Sequence, residues 1–190
     1  KYFEGEAFTP EEEAFGMRKA IASGSIMPVF VGSAQENAGV SFALDLITRF
    51  FPTPADGHPV SAIRKDGETV QLHSETEGPL AAFVFKTFVD PFVGRISLFR
   101  VFSGTFTDEG TVYNANQEKE ERLIGLNYQN GNKQMATEEI VAGDIGSIAK
   151  LSDTVTLNTL SEKTNPLKVV APAMPVPCLT LAISPVNKGE

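Results

Sequence analysis

The amino-acid sequence predicts a mainly β protein, a small closed β-barrel preceded by an α/β segment. Three observations predict it. From Pro79 to about Leu160, short apolar runs alternate with glycine- and asparagine-bearing turns, with no helical period among them. Residues 1–54 instead read as helix, strand, loop, helix. Residues 55–78 between them are rich in turn formers and charge, which marks a linker with one or two short strands.

In the first segment, Thr9-Pro10-Glu11-Glu12 is a helix start: Thr9 caps, Pro10 suits the first helical position and Glu12 completes a capping box. The helix is expected to reach about Ser23, with Gly24 as its stop. Ile26 to Val31 is nearly all apolar, the pattern of a strand buried on both faces of a parallel sheet, although Pro28 places it at an edge or a strand start. The polar loop Gly32 to Gly39 follows. Val40, Leu44, Ile47 and Phe51 then recur at helical spacing until Pro52-Thr53-Pro54. Ligands of open α/β sheets lie beyond the carboxyl ends of the strands, so a ligand contact is expected at the 32–39 loop.

In the barrel segment, strands are expected at Leu80–Phe88, Arg95–Phe102, Thr111–Asn114, Arg122–Gln129, Glu139–Val141 and Ile145–Ala149. Phe83, Phe85, Phe99 and Phe102 are read as core rather than as base-stacking groups, because strand aromatics usually face a core. Residues 164–190 hold a proline-rich stretch and one strand, Leu179 to Ile183, without partners of its own.

Composition narrows the function. A net charge of −8 argues against a free-standing nucleic-acid binder, which is usually basic, and no DNA partner is expected. The longest apolar run falls short of a membrane span. The single cysteine, Cys178, has no internal partner and is read as a small buried hydrophobe of a reduced, cytoplasmic protein. His58 and His73 lie in polar stretches without ligand spacing, so no metal site is expected. No catalytic set stands out: there is no Ser-His-Asp arrangement and no paired-carboxylate motif. The opening Lys1-Tyr2-Phe3-Glu4-Gly5-Glu6 lacks the basic and apolar regions of a signal peptide and reads as mid-phrase, so an internal piece of a longer protein is expected.

Several phrases carry a resemblance. Phe85-Lys86-Thr87 with Asp90-Pro91-Phe92-Val93-Gly94-Arg95 is similar to the opening of domain II in elongation factor G. So are Phe99-Arg100-Val101-Phe102-Ser103-Gly104 and Val141-Ala142-Gly143-Asp144-Ile145. Pro28-Val29-Phe30-Val31-Gly32-Ser33-Ala34 resembles the last guanine-recognition motif of that family's G domain, and Pro175 to Ile183 looks like the opening strand of domain III. The resemblance thus covers nearly the whole chain, in the family's order. It implies residues 1–54 as the end of a P-loop GTPase domain, 55–78 as linker and first barrel strands, 79–163 as domain II, and 164–190 as linker and first strand of domain III.

The resemblance further implies guanine contact in the parent protein by Gly32, Ser33 and Ala34. Alone, those small residues fit a tight strand-to-helix turn with no ligand better than a guanine contact. It implies GTP and magnesium for the parent, no cofactor for this piece, and contact with small-subunit ribosomal RNA. Lys86, Arg95, Arg100, Arg122 and Lys133 are the candidate contacts, each also readable as ordinary surface. No G-x-x-x-x-G-K-[ST] phosphate loop is present, so the chain itself is expected not to be an enzyme. Gln117 to Arg122 is acidic on balance where the family is usually basic. Tyr128 to Gln134, Leu157-Asn158-Thr159-Leu160 and Ser184 to Lys188 also depart, pointing to an elongation factor G-like paralogue. A release factor, a ribosomal protection protein or a stand-alone interaction module are the alternatives.

Overall fold

The computed structural model describes residues 1–131 and 133–184. Helix α1 (Pro10–Ala22) begins as its sequence dictates. The Glu12 N–H donates to the Thr9 hydroxyl at 3.3 Å, and the Thr9 N–H to the Glu12 carboxylate at 2.9 Å. Helix α2 (Val40–Phe50) starts after Gly39, whose φ of 75° is open to glycine at no steric cost. The two helices lie against each other, and Arg18 Nε donates to the Arg49 carbonyl at 2.7 Å. Neither helix buries a residue.

The strand expected at Ile26–Val31 is not formed. Those residues carry no regular structure, Val29 and Val31 are exposed, and no neighbouring strand pairs with them among the described residues. A strand is defined by its ladder, and without partners its N–H and C=O groups turn to solvent.

The rest is β. The strands are β1 (Val60–Arg64), β2 (Thr69–Leu72), β3 (Ala81–Asp90), β4 (Gly94–Ser103), β5 (Thr105–Thr107), β6 (Thr111–Asn114) and β7 (Lys119–Arg122). They continue as β8 (Leu126–Asn130), β9 (Lys133–Thr137), β10 (Glu139–Val141), β11 (Ile145–Ala149), β12 (Thr159–Ser161) and β13 (Leu167–Val169). Eight form one antiparallel ladder in the order β7-β6-β12-β3-β4-β11-β8-β9, while β5 and β10 pair separately. The hydrogen bonds do not close into a ring among the described residues, yet both groups of strands wrap one core. Leu80, Val84, Phe99, Phe106, Ile140 and Leu160 belong to it, with the Phe99 and Phe106 rings 4.9 Å apart. The expected strand over 122–129 is two strands, interrupted at Gly125, whose φ is 77°.

A second sheet, β13-β1-β2, joins the two ends of the barrel segment. It covers the outer face of β3. Successive side chains of a strand point to opposite faces, so Ala82 and Val84 enter the first core while Ala81 and Phe83 enter a second with Ala62, Leu72, Leu167 and Val169. That is why Leu80 to Val84 reads as an unbroken apolar run.

Phe102 lies on Phe83 at 6.3 Å, as expected of core aromatics, but Phe85 is 40% exposed. The register shifts between Val84 and Lys86, and this β-bulge turns Phe85 out of the core. The strand expected at Leu179–Ile183 is likewise absent: residues 170–184 form no element, and Leu179, Leu181 and Ile183 are exposed. Cys178 is exposed rather than buried for the same reason, since nothing among the described residues packs on this segment. Pro185 to Lys188 of the departing phrase lie outside the described residues.

Candidate functional site

The 32–39 loop is a closed turn. Ser33 and Ala38 exchange both backbone hydrogen bonds, at 3.0 and 2.9 Å, and the Glu36 N–H donates to the Ser33 hydroxyl at 3.2 Å. A Cβ on Gly32 would meet the Ala38 carbonyl oxygen at 2.7 Å, so only glycine allows this closure. The Ser33 N–H is therefore already engaged. The Gly32 and Ala34 N–H groups make no hydrogen bond among the described residues.

The five candidate cations do not form one cluster. Lys86 lies on β3 and Arg95 and Arg100 on the adjacent β4, while Arg122 and Lys133 lie on β7 and β9, the two end strands of the ladder. Arg95 and Arg100 are five residues apart, which separates them by roughly 17 Å and points them to opposite faces. Arg95 is exposed and donates to the Ser152 carbonyl at 3.2 Å. Arg100 is half-buried, with its guanidinium 5.6 Å from the centre of the Phe102 ring. Lys86, Arg122 and Lys133 are exposed.

The quoted phrases turn out to be turn chemistry. The Asp90 carboxylate accepts the Phe92 and Val93 N–H groups, both at 2.8 Å, and those bonds, Val93 first, hold its pKa below the usual Asp value. Phe92 is left at the hairpin tip, almost fully exposed. In the second phrase, the Gly143 N–H donates to the Val101 carbonyl at 2.7 Å, and the Tyr128 hydroxyl donates to Asp144 at 3.0 Å. Burial, then the Asp144 bond, pushes the Tyr128 phenol above its ordinary value.

A family model described as elongation factor G domain 2 matches residues 79–163, the span of the first core and its strands. This chain carries an elongation factor G domain 2. A crystal structure of a protein from Thermus thermophilus agrees over a longer stretch, with a TM-score of 0.65 and 27% identity across 85% of this chain. The match covers 22% of that protein, so the present chain spans about a fifth of its length.

Within this elongation factor G domain 2, the acidic hairpin β6–β7 has a structural use that sequence reasoning missed. Glu121 is buried, and its carboxylate accepts the Ser152 and Asp153 N–H groups and the Thr154 hydroxyl. Asn114 donates to Thr154 at 2.9 Å and to Asn158 at 3.0 Å, extending the network into the 150–158 loop. Lys119 and Glu120 pair with Asp153 and Lys163. No local pattern announced this, because the partners lie far along the chain.

Proposed function

We propose that this chain is the ribosome-binding section of a GTP-dependent translation elongation factor of the elongation factor G type, acting in translocation. The elongation factor G domain 2 at residues 79–163 carries the reading, in company with the Gly32-Ser33-Ala34 turn placed ahead of it. In the parent, the Ala34 amide would meet the guanine of GTP, and the phosphate and magnesium contacts would come from residues this sequence does not contain. The chain on its own then neither hydrolyses GTP nor binds it tightly. Lys86, Arg95, Arg122 and Lys133 are exposed cations positioned to meet RNA phosphates, each as a separate contact. Arg100 is less available, because its guanidinium is packed on Phe102.

The acidic β6–β7 hairpin supports a paralogue over the housekeeping factor. Its Glu121 is committed to the 150–158 loop and its Lys119 is neutralised by Asp153, which leaves Arg122 as the cation of this edge that can meet phosphate. Pelleting of the full-length protein with purified ribosomes in the presence of GTP tests the reading. A translation factor sediments with them, whereas a stand-alone interaction module stays in the supernatant.

A further inference from the structure

Strand β8 ends at Asn130, and Gly131 begins the turn into β9; both residues are exposed. The backbone nitrogen that follows an asparagine can attack its side-chain amide to close a five-membered ring. Glycine in the second position hinders this least, because no Cβ stands beside the attacking nitrogen. The attack also needs an N–H that is not already held.

Gly131 stands apart from the residues that follow the other described asparagines. After Asn37, the Ala38 N–H donates to the Ser33 carbonyl at 2.9 Å, and after Asn114 the Ala115 N–H donates to the Thr159 carbonyl at 3.0 Å. After Asn116 and Asn158, the Gln117 and Thr159 N–H groups donate to the side-chain carbonyls of Asn114 and Asn116, at 3.0 and 2.8 Å. Asn165 precedes Pro166, which has no N–H, and Asn127 precedes Tyr128 inside the β8 ladder. The Gly131 N–H makes no hydrogen bond among the described residues. A Cβ at Gly131 would meet nothing within 4 Å, so the turn is uncrowded. The Asn130 Nδ2 reaches Met135 Sδ at 3.9 Å, a weak acceptor that leaves Cγ open.

Asn130 and Lys133 are direct partners in the β8–β9 register, and theirs is the last pair before the turn. Fraying of that one pair frees the Asn130 backbone to bring Cγ to the Gly131 nitrogen. Direct partners share a face, with Cβ atoms about 4.5–5.5 Å apart.

We propose that Asn130-Gly131 is a site of spontaneous deamidation that sets a carboxylate opposite Lys133. The Gly131 nitrogen bonds to Asn130 Cγ, the Cγ–Nδ2 bond breaks, and Nδ2 takes the displaced proton through water and leaves as ammonia. Water then opens the succinimide at either carbonyl, giving aspartate or isoaspartate with one new carboxylate. That charge pairs with the Lys133 ammonium, and isoaspartate also adds a methylene to the main chain at the end of β8. The loss of Lys133 as an RNA contact rests on the ribosome-binding reading; the conversion itself does not.

Incubation of the 190-residue chain in mildly alkaline buffer, followed by proteolysis and fragmentation mass spectrometry, tests it. Residue 130 is expected to gain one mass unit at least ten-fold faster than Asn37, Asn114, Asn116 or Asn158, as a mixture of aspartate and isoaspartate. Asn130→Gln, which would need a six-membered ring, abolishes the gain, and Gly131→Ala slows it at least ten-fold. No gain at residue 130, or one no faster than at the other asparagines, overturns the proposal. In the full-length protein, the converted form should associate with ribosomes more weakly than the fresh form, and equal association overturns the effect on Lys133. Fresh protein that does not associate at all contradicts the ribosome-binding reading and leaves the conversion standing.

Discussion

The Thr154 hydroxyl donates to the buried carboxylate of Glu121 at 2.5 Å, tying the 150–158 loop to strand β7 across 33 residues of sequence. The same carboxylate accepts the N–H groups of Ser152 and Asp153. Glu121→Ala strands three donors, of which the Thr154 hydroxyl is buried and the two N–H groups half-buried, and a lost charged acceptor costs about 3 kcal/mol. Glu121→Gln keeps one carbonyl oxygen and should lose about half of that. Urea unfolding of the two variants checks the order, and equal stability of both with the unchanged chain would show that water replaces the carboxylate.

The two phenylalanines of differing fate make a paired prediction. Phe99 is fully enclosed against Phe106, and truncation of such a ring to alanine costs about 3–5 kcal/mol. Phe85, expelled from the core by the β-bulge, should tolerate alanine at a cost under ~1 kcal/mol. The difference in denaturation midpoint between the two variants measures it.

The Asp90 turn responds to acid in a defined direction. Its carboxylate is stabilised by the Val93 and Phe92 N–H groups, which depress its folded pKa below the ordinary 3.8. A depressed carboxylate contributes stability above its unfolded pKa and loses it as pH falls through the folded value. The Phe92 and Val93 amide resonances should therefore hold steady from neutral pH to about pH 4 and move together below it. Movement centred above 3.8 would show that the Asp90 bonds are not made.

The fold was legible where local chemistry decides it. The Thr9–Glu12 capping box, both helices, and the strands at Thr111–Asn114, Glu139–Val141 and Ile145–Ala149 follow from short-range pattern. Elements that depend on distant partners were not legible. β13 exists because it meets β1, which lies at the other end of the β segment, and its three residues carry no pattern of their own. The converse also holds. Ile26–Val31 and Leu179–Ile183 have strand-like composition and form none, since composition supplies no partner.

The candidate site divides in the same way. The small residues of the 32–39 loop and the turn at Asp90 could be read directly, whereas the engagement of the Ser33 N–H by Ala38 depends on loop closure. The scattering of Arg95, Arg100, Arg122 and Lys133 depends on strand order. The seat of Pro54 on Gly143 depends on how the 52–58 turn folds back, which no local pattern announces.

Nucleotide binding offers a separate check on the division of labour with the parent. The 190-residue chain offers the Ala34 amide without a phosphate loop, so a titration with GTP should show no saturable binding in the micromolar range. Micromolar affinity would mean that the chain holds nucleotide by some other route.

The salt dependence of ribosome binding by the full-length protein tests the central claim most directly. Each phosphate contact contributes about 0.7–0.9 to the slope of log affinity against log salt. Replacing Lys86, Arg95, Arg122 and Lys133 together by alanine should weaken association at least ten-fold and flatten that slope by about one unit or more. Ribosome association that is absent in the unchanged protein, or whose affinity and slope are both untouched by the four substitutions, would contradict the account.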